Sequence, residues 1–280
     1  MGLSKEQIAR YSRQLILPQI GVRGQERLLA SSALLVGAGG LGSPAALYLA
    51  AAGVGTLGLI DPESVAPSNL HRQVLHDTPA IGRPKVRSAG DRLTALNPDV
   101  TVRTYQERLT AANALELVRG YDLVLDGSDN FPTRYLVNDA CVLSDRWLVH
   151  GGVVHLRGQV LVIRPRQSAC LRCVFPEPPE AEAIPSCQEA GVLGTAAGII
   201  GSVMAHEALK ILLGIGEPLT DRLLVLDGLR TRMREVAVRR DAACAACGDA
   251  PSIRELREIT ETCRESPEAE EERWHASRSH

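Results

Sequence analysis

The chain has 280 residues, of which 45% are hydrophobic and 23% are charged, and its formal net charge is −2 at pH 7. This length accommodates a large α/β core, in one domain or two small ones, and the nearly neutral charge argues against a nucleic-acid partner. Residues 1–30 lack the apolar core of a signal peptide, and the longest uncharged run, residues 190–205, is short and glycine-rich for a membrane span. We therefore expect a cytoplasmic protein with no membrane partner.

The first predicted helix begins near Ser4, which is spaced to form a capping box with Gln7. Arg10 and Arg13 lie on a similar side of this helix, because residues three apart are neighbours on a helical surface. These residues alone favour two solvated arginines.

Residues 31–61 read as a strand, a glycine turn, a helix and a second strand that ends in Asp61. Ser43 is placed to cap the helix, Pro44 to begin it and Gly53 to end it. Glycines let a backbone turn tightly and approach a phosphate, and an acid about twenty residues on can hold a ribose hydroxyl. This pattern predicts a nucleotide site, the alternative being a tight turn without a ligand. The glycines of the turn are Gly37, Gly39 and Gly42.

Cations and hydrogen-bond donors follow Asp61, namely Asn69, Arg72 and Lys85. A triphosphate concentrates more charge than the pyrophosphate of a dinucleotide and needs more such groups around it. The cluster therefore favours a nucleoside triphosphate, while a polar surface loop is the alternative interpretation.

Residues 122–126 form a predicted buried strand that leads into the sequence Gly-Ser-Asp-Asn. Open α/β sheets bind ligands at the carboxyl ends of their strands, and Mg²⁺ favours carboxylates together with phosphate oxygens. Asp129 is therefore a candidate ligand for Mg²⁺ on the triphosphate. The alternative is that Asp129 caps the helix that starts at Pro132.

Strands and helices alternate along most of the chain, which predicts a Rossmann-like α/β fold whose mostly parallel sheet carries helices on both faces. Residues 233–238 alternate with charges and predict an edge strand in an antiparallel extension. Residues 1–250 are expected to form one domain. Residues 251–280 are charged and are expected to be disordered, apart from a short helix around residues 253–259.

Seven cysteines are an odd number in a chain expected to be intracellular, so disulfides are the less favoured use for them. Four form two C-x-x-C pairs, and a two-residue gap lets both thiolates of a pair reach one ion. A redox role is the alternative for either pair alone. The predicted ligands of a structural Cys₄ zinc site are Cys170, Cys173, Cys244 and Cys247. A further cysteine, Cys187, is predicted to lie in an accessible loop after a proline-rich stretch.

The motifs GAGGLG, SNLHRQ, GRPK, SDN and SCQEAGV, with Asp61 and the two cysteine pairs, resemble the MoeB/ThiF/HesA family of adenylyltransferases over roughly residues 5–250. This resemblance implies a homodimer that uses ATP and Mg²⁺ to adenylate the C-terminal glycine of a small β-grasp sulfur-carrier protein of the MoaD or ThiS kind. It also implies a set of ATP contacts within the motifs. These contacts are Gly40, Asp61, Ser68, Asn69, Leu70, His71, Arg72, Lys85, Asp129 and Asn130.

The resemblance further implies that Arg13 reaches the triphosphate bound by the partner subunit, which replaces the solvated interpretation. Attack by an already ionised carboxylate on the α-phosphorus needs cations and positioning and no general base. Arg72, Lys85 and Arg13 would supply the cations. Cys187 is expected to attack the acyl-adenylate, with direct sulfur delivery to the adenylate as the alternative.

Many members of this family continue into a rhodanese domain that donates sulfur, whereas this chain stops at His280. A separate donor, such as a cysteine desulfurase or a rhodanese, is therefore expected. The family covers carriers of molybdopterin, thiamine and tRNA-thiolation pathways alike. Two other functions stay open, an NAD-dependent oxidoreductase, supported only by the glycine turn and Asp61, and a noncatalytic scaffold that binds a β-grasp protein.

Overall fold

The computed structural model of the chain describes residues 2–178 and 191–259. Eight strands lie within these residues, and they all belong to one sheet. They are β1 Ser32–Val36, β2 Thr56–Ile60, β3 Thr101–Tyr105, β4 Leu123–Asp126, β5 Trp147–Val154, β6 Arg157–Ile163, β7 Arg222–Asp227 and β8 Arg232–Ala237.

The strand order is β3-β2-β1-β4-β5-β6-β7-β8. The five strands from β3 to β5 pair in parallel, and β6, β7 and β8 extend the sheet with antiparallel pairs. The central strands are continuous apolar runs because both of their faces are covered, whereas β8 is mostly exposed and alternates with charges. The predicted Rossmann-like sheet with an antiparallel extension is confirmed.

Helices cover both faces of the sheet. The sheet therefore separates two apolar clusters, one on each face. Successive residues of β1 point to opposite faces, so Leu35 joins one cluster with Leu49 and Met204, while Leu34 joins the other. The helices are α1 Lys5–Leu15, α2 Gly21–Ala30, α3 Gly42–Ala52, α4 Lys85–Leu96, α5 Ala114–Arg119, α6 Phe131–Ser144, α7 Leu171–Val174 and α8 Gly194–Leu213.

The ends of two helices test the predicted capping residues. Ser4 and Gln7 form the predicted capping box at the start of α1, and Gly53 ends α3 with a positive φ of 85°. The prediction that Ser43 caps α3 is wrong, because the helix already begins at Gly42. The glycine turn therefore feeds directly into the helix, without a side-chain cap.

Helix α8 is long and apolar enough to cross a membrane by composition, but over half of that window is buried inside the protein. It packs against α3, β5 and β6. Its buried Glu207 pairs with Lys210 at 2.6 Å and accepts the Leu219 N–H at 2.9 Å. Because its apolar surface lies in the core and its acid is satisfied there, α8 is the central helix of this domain.

Candidate nucleotide pocket and metal centre

A cavity of about 530 Å³ opens at the carboxyl ends of three adjacent strands. Gly37 follows β1, Asp61 follows β2, and Asp129 lies in the loop after β4, and all three line the cavity. The carboxyl ends of parallel strands meet at one edge of a sheet. The predicted site residues from three separate parts of the chain therefore converge on one pocket.

The glycine turn of the pocket is sterically restricted to glycine at two positions. Gly37 has a φ of 93°, which side chains rarely adopt, and a Cβ on Gly42 would collide with the carbonyl oxygen of Gly37. Gly39 and Gly40 line the cavity in front of the N-terminus of α3. A helix N-terminus presents free N–H groups and a positive dipole end, so this wall of the pocket suits a phosphate.

Asp61 is buried and holds the turn as well as lining the pocket. Its two carboxylate oxygens accept the N–H groups of Ala38 and Glu63, each at 2.9 Å. Burial raises the pKa of Asp61, and the nearby charge of Lys85 opposes that shift. Because a carboxylate oxygen can accept two hydrogen bonds, Asp61 retains capacity for a ribose hydroxyl.

Lys85 is the first residue of α4 and lines the cavity. Its side chain is 4% exposed and pairs at 2.6 Å with Glu63, whose side chain is 55% exposed. An ammonium group has three donors, so one ion pair leaves two of them for other acceptors. Glu63 therefore orients Lys85 without saturating it.

Two residues of the SNLHRQ motif, Arg72 and Gln73, line the cavity. The guanidinium of Arg72 donates to the carbonyl oxygen of Ser68 at 2.8 Å and lies 2.7 Å from His71 Nε2. Asn69 accepts the Ala66 N–H and closes the turn from which Arg72 projects. The other four residues of this motif were predicted to contact ATP, but they do not line the cavity. They are Ser68, Asn69, Leu70 and His71.

Two neighbouring polar residues in the loop after β4, Asp129 and Asn130, have different roles. Asn130 accepts the Thr133 N–H at 2.9 Å and is the N-cap of α6, so the alternative in which Asp129 caps this helix is wrong. Asp129 is exposed at the cavity and makes no hydrogen bond or ion pair with any residue that the structure describes. Its carboxylate is available to a cation in the pocket.

A buried network of hydrogen bonds holds the loop after β4 in place. Asp126 accepts the N–H and hydroxyl of Ser128 at 3.0 and 2.6 Å, and its other oxygen lies 2.8 Å from His150 Nδ1. Burial alone would raise the pKa of Asp126, but the hydrogen bond from His150 and the Ser128 contact together lower it. The ionised carboxylate thus ties the end of β4 to β5.

The cavity lining includes residues that were not identified from the sequence, among them Arg134 and Gln73. Arg134 donates to the carbonyl oxygen of Ser128 at 3.2 and 3.3 Å. It adds a further cation to the lining, as Arg108 does. Gln73 is 3% exposed, and its Oε1 has no partner among the described residues. Each has a sequence signal, since Arg134 lies one helical turn after Asn130 and Gln73 ends the SNLHRQ motif.

Arg13 does not line the cavity of its own chain. Helix α1 is anchored by Tyr11, whose hydroxyl accepts from Asn97 at 2.8 Å, just beyond the C-terminus of α4. Lys85 begins this helix of 12 residues, and at 1.5 Å per residue its two ends are about 18 Å apart. Arg13 itself is exposed, two residues along α1 from the anchoring Tyr11.

The four predicted zinc ligands come together although about seventy residues separate the pairs. Their sulfur atoms all lie within 4.8 Å of one another, with contacts of 3.6, 3.8 and 3.3 Å. A tetrahedral ion with Zn–S bonds of about 2.3 Å holds its sulfurs about 3.8 Å apart, so the cluster fits zinc.

Hydrogen bonding with Cys170 and Cys247 lowers the pKa of Cys173, and the Asp241 N–H at 3.3 Å from its sulfur acts in the same direction. The thiolate form that a metal needs is therefore favoured at Cys173. Cys187, the predicted nucleophile, lies outside the described residues.

The sequence matches the ThiF family over residues 11–246. It is 52% identical to the sulfur carrier protein adenylyltransferase of Thermus thermophilus, over 94% of this chain and 99% of that protein. It is 50% identical to the adenylyltransferase and sulfurtransferase MOCS3 of Sus scrofa, over 94% of this chain, and spans 58% of that protein's length. The crystal structure of E. coli MccB has the same fold, with a TM-score of 0.77 at 21% identity, covering 93% of this chain and 76% of that one. The family match spans most of the sequence, and the relatives agree with it along nearly the whole chain, so the chain belongs to the ThiF family.

Proposed function

We propose that this chain is an adenylyltransferase that transfers AMP from ATP to the C-terminal carboxylate of a small β-grasp sulfur-carrier protein ending in Gly-Gly. The observation that carries this proposal is the composition of one cavity. It combines a glycine turn at a helix N-terminus with Arg72, Lys85 and the carboxylate of Asp129, which has no partner among the described residues. The names of two relatives, a sulfur carrier protein adenylyltransferase and an adenylyltransferase and sulfurtransferase, support the same activity.

In this reaction a carboxylate oxygen of the carrier attacks the α-phosphorus of ATP, the bond to the pyrophosphate oxygen breaks, and pyrophosphate leaves. The reactants are both anionic, so the site must supply positive charge where they meet. Arg72 and Lys85 supply it, and Asp129 would hold Mg²⁺, which neutralises phosphate charge when bound. The carrier carboxylate is already ionised at neutral pH, so no protein group has to remove a proton.

The two other functions receive less support from the pocket. A dinucleotide-dependent oxidoreductase needs its pyrophosphate neutralised but has no use for several further cations at the same end of the cavity. A noncatalytic scaffold would not need a buried ammonium group held ready by an exposed acid, as Lys85 is held by Glu63. The pocket therefore favours catalysis on a triphosphate.

A homodimer would complete the pocket by bringing Arg13 of one chain to the nucleotide of the other. Arg13 is exposed and does not line the pocket of its own chain, so a partner subunit is the route by which it would contribute. Zinc at the cysteine cluster, a separate sulfur donor and a cytoplasmic location complete the proposal.

The proposal predicts ATP–pyrophosphate exchange that depends on the carrier. A MoaD-type or ThiS-type carrier with an intact Gly-Gly terminus should support exchange, because its terminal carboxylate can reach the α-phosphorus and pyrophosphate can then attack the acyl-adenylate to re-form ATP. The matched control is the same carrier with both glycines removed, which should give background exchange only. Exchange that is equally fast without any carrier would contradict the proposal.

Cys187 is proposed to act after adenylation, through thiolate attack on the acyl-adenylate that expels AMP and forms a thioester. Cys187→Ser should therefore leave pyrophosphate exchange nearly unchanged while slowing formation of the thiocarboxylated carrier. Mass spectrometry of the carrier in the presence of its sulfur donor measures that rate. If the variant matches the wild type in both yield and rate, sulfur is delivered directly to the adenylate.

A further inference from the structure

The chain continues beyond its last zinc ligand into residues 251–259, in which the predicted short helix is absent. These residues run along the surface of the domain from the cysteine cluster to the nucleotide pocket. At the cluster end, the Ile253 N–H donates to the carbonyl oxygen of Ala245 at 2.9 Å, and Ala245 lies between two zinc ligands. One end of the segment is thus attached to the metal centre.

The middle of the segment is held by apolar packing. Ile253 and Leu256 are partly buried against the core cluster that contains Val118 of α5 and Leu136 of α6. Intervening residues such as Arg254 and Glu255 are exposed. The segment therefore lies on the surface of the core with these two apolar side chains turned inward.

The far end of the segment reaches the pocket. Glu258 accepts the Ala111 N–H at 2.6 Å, and Ala111 lies in the loop between β3 and α5. Glu258 and Ile259 line the same cavity as the glycine turn, next to the buried Leu109.

The position of this wall indicates which part of a nucleotide it meets. The glycine turn after β1 and Arg72 suit the phosphates, and Asp61 after β2 suits the ribose, so the base is expected beyond Asp61, toward β3. The Asp61 N–H donates to the carbonyl oxygen of Tyr105, the last residue of β3, at 3.2 Å. The loop after Tyr105 and the segment that contacts it therefore lie at the base end.

We propose that residues 251–259 form part of the nucleotide site, with Glu258 and Ile259 closing its base end. The inference rests on the proposed function, because it takes an adenine nucleotide as the ligand. It assigns the segment a contribution to the affinity for the adenosine moiety, shared equally by ATP and AMP. It also connects the nucleotide site to the metal centre through one continuous stretch of chain.

The test measures the dissociation constants of ATP and of AMP for the full-length protein by calorimetry without carrier. Glu258→Ala and Ile259→Ala should each weaken both nucleotides by the same factor, roughly fivefold, as expected for the loss of about one hydrogen bond or a small apolar contact. Glu258→Gln should bind nearly as well as the wild type, because its amide oxygen can still accept the Ala111 N–H. Arg257→Ala is the matched control, since this exposed side chain pairs with Glu255 at 2.7 Å and does not line the cavity.

Unchanged affinities in both alanine variants, or a lower melting temperature without weaker binding, would overturn the inference and leave the adenylyltransferase proposal intact. Weaker binding of ATP with unchanged binding of AMP would also overturn it, because the segment would then act on the phosphates. A wild-type protein that binds neither nucleotide would overturn the proposed function itself.

Discussion

Lys85→Ala should lower carrier-dependent ATP–pyrophosphate exchange by a factor on the order of 10² to 10³, the range seen when one preorganised charge-stabilising group is removed. Lys85 is 4% exposed and is oriented by Glu63, so its charge acts in a pocket with little water to replace it. The loss should appear mainly in kcat, because the negative charge to be stabilised is greatest as pyrophosphate leaves. Exchange assays over a range of ATP concentrations separate the two parameters.

The matched control for this variant is Arg83→Ala. Arg83 lies two residues away, but its half-exposed side chain pairs with Asp91 on the surface and does not line the cavity. It should retain wild-type exchange. Glu63 is more than half exposed and can be hydrated when Lys85 is absent, so the Lys85 variant is expected to fold. Wild-type exchange by a folded Lys85→Ala protein would remove this residue from the site.

Loss of the metal centre should give the second large effect, on stability. We expect about one zinc per chain and a melting temperature lower by roughly 5 °C or more in Cys247→Ser, since 1 kcal/mol corresponds to about 2–4 °C in a domain of this size. The ion would join the α7 region to the segment around residues 241–249, which are far apart in the sequence. Metal analysis and thermal denaturation measure the two quantities.

Cys141→Ala is the control for the metal centre, because Cys141 is fully buried and lies outside the cysteine cluster. This variant should keep its zinc and lose only the stability of a slightly smaller core side chain. Native protein that contains no zinc, and in which all four cluster cysteines titrate as free thiols, would reject the structural metal site.

The parts of the site that were predictable from sequence depend on short-range steric rules. Gly37 and Gly42 are required because the turn is tight, and Asp61 is identified by its distance from that turn along a strand-helix-strand unit. The parallel order of the sheet follows from the alternation of strands and helices. Because these features are set within a few dozen residues, the sequence pattern contains them.

Other features depend on tertiary contacts that no local pattern encodes. The SNLHRQ motif predicts a row of nucleotide contacts, but the turn closed by Asn69 points Arg72 into the cavity and leaves the preceding residues outside its lining. The sequence around Glu258 predicts a short helix in a charged tail, whereas the segment is not helical, because the apolar partners of Leu256 and the Ala111 N–H come from distant parts of the chain.

The most direct test of the adenylyltransferase proposal is an intact-mass measurement of the carrier. A Gly-Gly carrier incubated with this protein, ATP, Mg²⁺ and pyrophosphatase, without a sulfur donor, should gain the mass of one AMP moiety, located at the C-terminal glycine. The carrier without its glycines, and the intact carrier with Lys85→Ala protein, should stay unmodified within the same time. A carrier that keeps its original mass while ATP is converted to ADP would contradict the account, because cleavage would then occur at the γ-phosphorus and not at the α-phosphorus.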